Sequence, residues 1–186
     1  MKIVVAITGA SGVIYARRLL EVLKDTGVTI SLIISATAER VIQKELGVSK
    51  TEIQSLALEH FDVNDVEAPV ASGSVLCDGM VIVPCTMATL AAIASGLSFN
   101  LITRTADVML KEARPLVLVP RETPLNQIHL ENMLKLKKAG VHILPAMPAF
   151  YNSPKGIDDL VDFVVGRILD ILKIKHNIYK RYLEDS

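Results

Sequence analysis

Thr8-Gly9-Ala10-Ser11-Gly12 is the first cluster in this chain whose residue types could do chemistry. It closes the apolar run Ile3 to Thr8 and opens the stretch Val13 to Lys24, in the order strand, tight turn, helix. Glycines at 9 and 12 permit positive φ and a close backbone approach to a ligand. The helix behind them aims unpaired N–H groups and the positive end of its dipole at the turn. An anion, most simply a phosphate, fits there. Gly9-x-x-Gly12 lacks the third glycine of a dinucleotide fingerprint, and the next apolar run ends in Ile34-Ser35-Ala36-Thr37 rather than in an acid for a ribose 2′-hydroxyl. A mononucleotide with one phosphate, flavin foremost, fits this better than NAD. The plainer alternative is a turn that merely packs.

A second strand-to-helix turn, Pro84-Cys85-Thr86-Met87-Ala88-Thr89, is rich in hydroxyls. Thr86 either caps the helix that follows or presents its hydroxyl, with Thr89, to a ligand. Charges gather further on. Arg121-Glu122 stands directly after the apolar run Leu116 to Pro120, and Tyr151 follows the run Val141 to Pro145. Arg104 and Lys111 are seven residues apart, about two helical turns, and so share one face. Glu45 falls in the last turn of a helix from Ala36 to Leu46, where the dipole disfavours a carboxylate. It is either an ordinary exposed glutamate or one with a job, and surface base rates favour the ordinary reading.

The elements that must position these residues follow from the hydrophobic pattern. In the first helix Ala16, Leu19, Leu20 and Leu23 share one face and Arg17, Arg18, Glu21 and Lys24 the other. Val28 to Ser35 reads as a strand, and Gly47 suits the end of the helix after it. Thr51 to Phe61 reads as helical, and Asp62 to Gly73 as a loop with room for a short strand. Met80 to Pro84 is a buried strand, followed by helices to Ala94 and from Asn100 to Ala113. The strand Leu116 to Pro120, a helix from Leu125 to Ala139, the strand Val141 to Pro145 and a helix from Ile157 to Leu172 that bears Arg167 complete the order.

Strands alternating with helices over short connections predict an α/β fold: a doubly wound parallel sheet of five or six strands, three-layer αβα, Rossmann-like or flavodoxin-like. One domain over residues 1–186 is expected, with 173–186 as a C-terminal tail. Ligands of such sheets lie outside the carboxyl ends of the strands, a rule that collects Ser11, Ser35, Thr86, Thr89, Arg121, Glu122 and Tyr151 at one edge.

Lys plus Arg and Asp plus Glu both number 20, so no global field attracts nucleic acid or an anionic membrane. Hydrophobic residues make up 51% before glycine is counted, a surplus that predicts buried subunit contacts. No apolar run reaches the roughly 18 residues of a membrane span, and Met1-Lys2 before so short an apolar run is no signal peptide, so a cytoplasmic location is expected. Cys77 and Cys85 read as free thiols, and the four scattered histidines do not have zinc spacing.

Taken together, Thr8-Gly9-Ala10-Ser11-Gly12-x-x-Tyr15, Pro84-Cys85-Thr86-x-x-Thr89-Leu90, the segment from Arg104 through Lys111 to Leu118, Arg121-Glu122-Thr123-Pro124 and Pro145-Ala146-x-Pro148-x-Phe150-Tyr151 resemble the UbiX/Pad1 flavin prenyltransferases of the flavoprotein family. The resemblance implies metal-independent transfer of a dimethylallyl group from dimethylallyl monophosphate to reduced FMN at N5 and C6. It also implies a UbiD-type decarboxylase as recipient of the product, and a large homo-oligomer, a dodecamer. By motif, Gly9, Ala10, Ser11, Ser35, Thr86, Met87, Ala88, Thr89 and Arg121 hold FMN. Lys111, Glu122, Tyr151 and Arg167 hold the dimethylallyl phosphate, with Arg104 nearby. A phosphate leaving an allylic carbon needs cations and a proton source, and Glu122 and Lys111 suit those roles. Glu45, where relatives carry an active-site glutamate, would manage the N5 proton with Ser11.

The chain departs from its relatives where Ala36 stands in place of a lysine and Arg181-Tyr182 in place of a tail tryptophan. Two other readings compete. An FMN-dependent decarboxylase of peptidyl-cysteine type shares the fold, but Ala88 stands where it has asparagine, and no histidine precedes His60. A non-enzymatic flavin carrier would have no use for a cationic second pocket.

Overall fold

Runs of branched apolar residues form the centre of the computed structural model, which describes residues 1–182. The strands are β1 (Lys2–Ile7), β2 (Thr29–Ile34), β3 (Glu59–Phe61), β4 (Gly79–Cys85), β5 (Leu116–Pro120) and β6 (His142–Ile143). They pair, all parallel, in the order β3-β2-β1-β4-β5-β6. The helices are α1 (Val13–Asp25), α2 (Ala36–Leu46), α3 (Lys50–Gln54), α4 (Met87–Ala94), α5 (Leu101–Lys111), α6 (Gln127–Lys138) and α7 (Ile157–Ile171). This is the doubly wound, three-layer arrangement expected, and its strand order reverses between β1 and β4.

Helices cover both faces of the sheet, which is why runs such as Val4-Val5-Ala6 are continuously apolar. Ile3, Val5 and Ile7 join Leu19 and Leu23 of α1 and Val165 and Ile168 of α7 in one core. Val4 and Ala6 join Leu90 of α4 and Ile102 and Met109 of α5 in the other. Each large aliphatic side chain so buried stabilises the fold by roughly 1.5–3 kcal/mol, and the packing fixes where the strand ends lie.

Local signals set most boundaries. Gly47 ends α2 at φ 68°, and Asn100 and Thr103 form a reciprocal cap at the start of α5. The helix expected over Thr51 to Phe61 is instead the short α3 followed by β3. Ser55 ends α3, and Glu59 is drawn to the sheet edge by Lys2 Nζ at 2.9 Å and Ser31 Oγ at 2.8 Å. A three-residue edge strand has too few positions to show a period, so pairing with β2 decides it. The strand expected from Val141 to Pro145 shrinks to β6 for the same reason. The C-terminal tail, expected over 173–186, is described as far as Tyr182; residues 183–186 lie outside the described residues.

Candidate flavin and phosphate site

Hydrogen bonds join the carboxyl ends of four neighbouring strands. Thr8, only 2% exposed, makes the central link: its Oγ1 donates to the Pro84 carbonyl at 2.8 Å and accepts from the Thr86 N–H at 2.8 Å. Its own N–H donates to the same carbonyl at 3.2 Å. The glycine-rich turn after β1 and the hydroxyl-rich turn after β4 are thereby held as one unit. On one side the Ser35 N–H donates to Ile7 O at 3.0 Å. On the other, Arg121 Nε donates to Ser11 O at 3.2 Å.

The two glycines do different work. Gly12, at φ 104°, takes the left-handed conformation expected of it and starts α1. Gly9 does not adopt positive φ. It is small because Thr37 presses on it: a Cβ at position 9 would lie 2.6 Å from Thr37 Cβ and closer still to Cγ2. That packing brings the start of α2, with Ser35, against the first turn.

The anion at the start of α1 is supplied by the chain itself. Glu45 Oε2 accepts from the N–H of Gly12 at 2.9 Å and of Val13 at 3.2 Å. The ordinary reading of Glu45 is therefore replaced, because the carboxylate that suffers at the end of α2 gains at the beginning of α1. A phosphate expected at these two N–H groups would have to displace it. The start of α2 offers an alternative, since Ser35 is half-buried, its Oγ accepts from Ala38 N–H at 3.1 Å, and Ala36 and Thr37 are exposed.

In the second turn, Thr86 Oγ1 accepts from Thr89 N–H at 3.1 Å and donates to Thr89 Oγ1 at 2.9 Å. It caps α4 and also orients the Thr89 hydroxyl, so the two readings of Thr86 are compatible. Ala88 is exposed beside them, whereas Met87 is buried, as is Ala10 in the first turn. Cys85 is wholly buried, and burial pushes its thiol far up, which rules it out as a nucleophile at ordinary pH.

Arg121 and Glu122 line a cavity of about 290 Å³ with Met133, Pro145 and Met147. Pro145 and Met147 also line a second cavity, of about 420 Å³, which Arg167 and Phe163 line as well. Glu122 and Arg167 thus line two neighbouring cavities that share Pro145 and Met147. The exposed Tyr151 meets the edge of the Phe163 ring at 6.1 Å between centroids.

Lys111 does not join them within one chain. It ends α5 beside Pro115, whose carbonyl accepts from Met80 N–H at the amino edge of the sheet, whereas Glu122 follows β5 at the carboxyl edge. The five residues of β5 put about 16 Å between those edges, beyond the reach of a lysine. Arg104 and Lys111 do share a face, as their spacing predicts. Arg104 Nε donates to Ala71 O at 3.3 Å, and Lys111 Nζ lies near Gly73 and 3.2 Å from Glu112 Oε1.

Sequence reasoning missed Thr8 as a bridge, Thr37 as the partner of Gly9, and Asp170 beside Arg167. A lone threonine closing an otherwise apolar run was a signal for the first. Among the described residues no His, Cys, Asp and Glu group could hold a metal ion, and no helix is long and apolar enough to cross a membrane.

The flavoprotein family profile matches residues 1–169. Flavin prenyltransferase UbiX of Methanocaldococcus jannaschii is 54% identical over 98% of this chain and 98% of its own. The crystal structure of AnUbiX (PadA1) in complex with FMN and dimethylallyl pyrophosphate superposes with a TM-score of 0.97 at 46% identity, covering 100% of this chain and 98% of that one. A dodecameric FMN-dependent UbiX-like decarboxylase from Escherichia coli O157:H7 superposes with a TM-score of 0.96 at 44% identity, over 98% and 99%.

Proposed function

The chain belongs to the UbiX flavin prenyltransferases of the flavoprotein family, and on that premise we propose that it joins the dimethylallyl group of dimethylallyl monophosphate to reduced FMN, at N5 and C6, making prenylated FMN for a UbiD-type decarboxylase. The observation that carries the reading is the joined edge itself. Half-buried hydroxyls of Ser35, Thr86 and Thr89 stand on one side, and two neighbouring cavities, one lined by Glu122 and the other by Arg167, lie on the other.

Reduced FMN supplies the nucleophilic atoms when bound. Gly9, Ala10 and Ser11 form the turn it lies against, Met87 and Ala88 continue that wall, and the start of α2 at Ser35 takes its phosphate. Arg121, tied to Ser11 O, adds positive charge between that turn and the cavity lined by Glu122. Loss of phosphate from an allylic carbon builds charge on the phosphate oxygens, which Arg167 offsets and the Tyr151 hydroxyl hydrogen-bonds. Glu122 delivers a proton to the departing phosphate. Glu45, fixed on Gly12 and Val13 next to Ser11, receives the N5 proton through the Ser11 hydroxyl.

Lys111 and Arg104 serve this site from a second copy. What supports this is the place of Lys111 at the opposite edge of the sheet from Glu122, with Arg104 on the same face of α5, together with exposed apolar side chains at Leu97, Phe99, Ile128 and Leu134. A homododecamer in the cytoplasm is the assembly proposed. The test is to incubate the protein without oxygen with reduced FMN and dimethylallyl monophosphate and weigh the flavin. A C5 adduct is expected. Unchanged flavin, with CO2 released from an aromatic acid or a peptidyl cysteine instead, refutes the transferase in favour of a decarboxylase; unchanged flavin alone leaves a carrier.

A further inference from the structure

Beyond the end of α7 the chain turns back, and its residues 173–182 lie along that helix under the control of one carboxylate. Asp170 Oδ1 accepts from Arg181 Nη2 at 2.7 Å and pairs with His176 Nε2 at 3.1 Å. Its Oδ2 accepts from the Tyr179 hydroxyl at 2.7 Å and from Arg167 Nη1 at 3.3 Å. An ionised carboxylate has about four acceptor sites, so this one is filled. Burial alone would raise its pKa, but the hydrogen bonds from Arg181, Tyr179 and His176 prevail and hold it at about 2.

The same strap reaches two of the four residues assigned to the prenyl donor, Arg167 and Tyr151. Tyr179 packs on Gly166, where a Cβ would come within 2.5 Å of its Cε1 and closer to Cδ1, and its ring meets Phe163 at 5.4 Å between centroids. Tyr182 meets Tyr151 edge to face at 5.4 Å. We propose that Asp170 is a positioning residue for the prenyl-donor side of the site: it orients the Arg167 guanidinium and pins the strap whose Tyr182 steadies Tyr151. The inference rests on the reading of Arg167 and Tyr151 given above.

A free arginine samples many rotamers, and that freedom is lost when an anion binds. A solvent-exposed pair three residues apart restrains it little. Asp170 differs because His176, Tyr179 and Arg181 already hold it still, so Arg167 meets a fixed partner. The phosphate of the prenyl donor then meets a guanidinium set in place beside Tyr151.

Two substitutions separate charge from shape. Asp170→Asn removes the charge. Gly166→Ala keeps every charge and favours the helix, yet drives Tyr179 and the strap outward. Dimethylallyl monophosphate is titrated calorimetrically into each FMN-loaded protein with the flavin oxidised, so that binding is read without turnover. Both variants are expected to bind it about tenfold more weakly, the effect of misplacing one charge-assisted hydrogen bond to the phosphate. Asp170→Glu should recover most of that affinity. In turnover the half-saturating concentration should rise about tenfold, while the rate at saturation changes less than threefold and FMN content not at all. Trypsin should cut sooner at Lys173, Lys175, Lys180 or Arg181 in the alanine variant. Wild-type affinity in both variants, or no binding to the wild type, overturns the proposal. If Asp170→Asn does not retain FMN, Gly166→Ala alone decides. Weakened binding in the variants of a protein that forms no adduct would refute the transferase reading and leave the role of Asp170 standing.

Discussion

Replacing Thr8 with valine removes one buried hydroxyl while keeping the shape of the side chain, and the consequence can be worked from its neighbours. The Pro84 carbonyl loses the hydroxyl but keeps the Thr8 N–H at 3.2 Å, so it remains satisfied. The Thr86 N–H loses the acceptor it holds at 2.8 Å and faces a methyl group instead. Removing one hydrogen bond whose acceptor stays paired costs about 1 kcal/mol, and stranding one donor in a buried turn costs about 1–3 kcal/mol, giving about 2–4 kcal/mol in all. For a chain of this length that lowers Tm by roughly 4–16 °C. Thr8→Ser keeps both bonds and loses a methyl, about 1 kcal/mol. The assay is thermal unfolding of the flavin-free protein at one fixed concentration, because bound FMN and assembly both shift Tm by mass action. FMN affinity of the refolded variants should follow the same order, since the valine leaves the Thr86-Thr89 turn untied. A valine variant that melts within about 2 °C of the wild type, or a serine variant that falls as far as the valine one, refutes the bridging role.

Gly9→Ala should destabilise the protein by about 1–3 kcal/mol through overlap with Thr37 and abolish FMN retention, with partial recovery in the Gly9→Ala, Thr37→Gly double variant; no recovery would mean that Gly9 serves the ligand rather than the packing. The Asp170 carboxyl at about 2 lies below its ordinary value, so the stability it contributes, on the order of 1–2 kcal/mol, is present above about pH 4 and lost as pH falls toward 2. Denaturant unfolding between pH 4 and 2 should therefore show a shallower acid slope in Asp170→Asn than in the wild type, and equal slopes would contradict this. Lys111→Ala and Glu122→Gln should each prenylate slowly, while oligomers reassembled from an equal mixture should regain activity at about a quarter of their sites. Mixtures no faster than either parent would place Lys111 outside the site.

Much of this protein is legible in its sequence because much of it is local. Continuous apolar runs of five to seven residues, rich in Val and Ile and too short for a buried helix, read as inner parallel strands, and the helices between them carry their own periodicity and caps, so the doubly wound sheet and its strand-end edge follow. Gly12 at positive φ, Thr86 as the cap of α4 and Arg104 and Lys111 on one face are likewise statements about a few adjacent residues. Relations across the chain were decided only by the tertiary structure. Glu45 finds the start of α1 from 33 positions away, because α2 packs beside α1 and carries its last turn to that point. Gly9 is fixed by the bulk of Thr37, Thr8 by a carbonyl 76 positions away, and β3 by an open sheet edge. Lys111 and Glu122 are near in sequence and lie at opposite edges because a strand runs between them. Spacing along a helix or strand is set by covalent geometry and can be counted, whereas which turn meets which is set by the packing of whole elements, and no short stretch of residues encodes it.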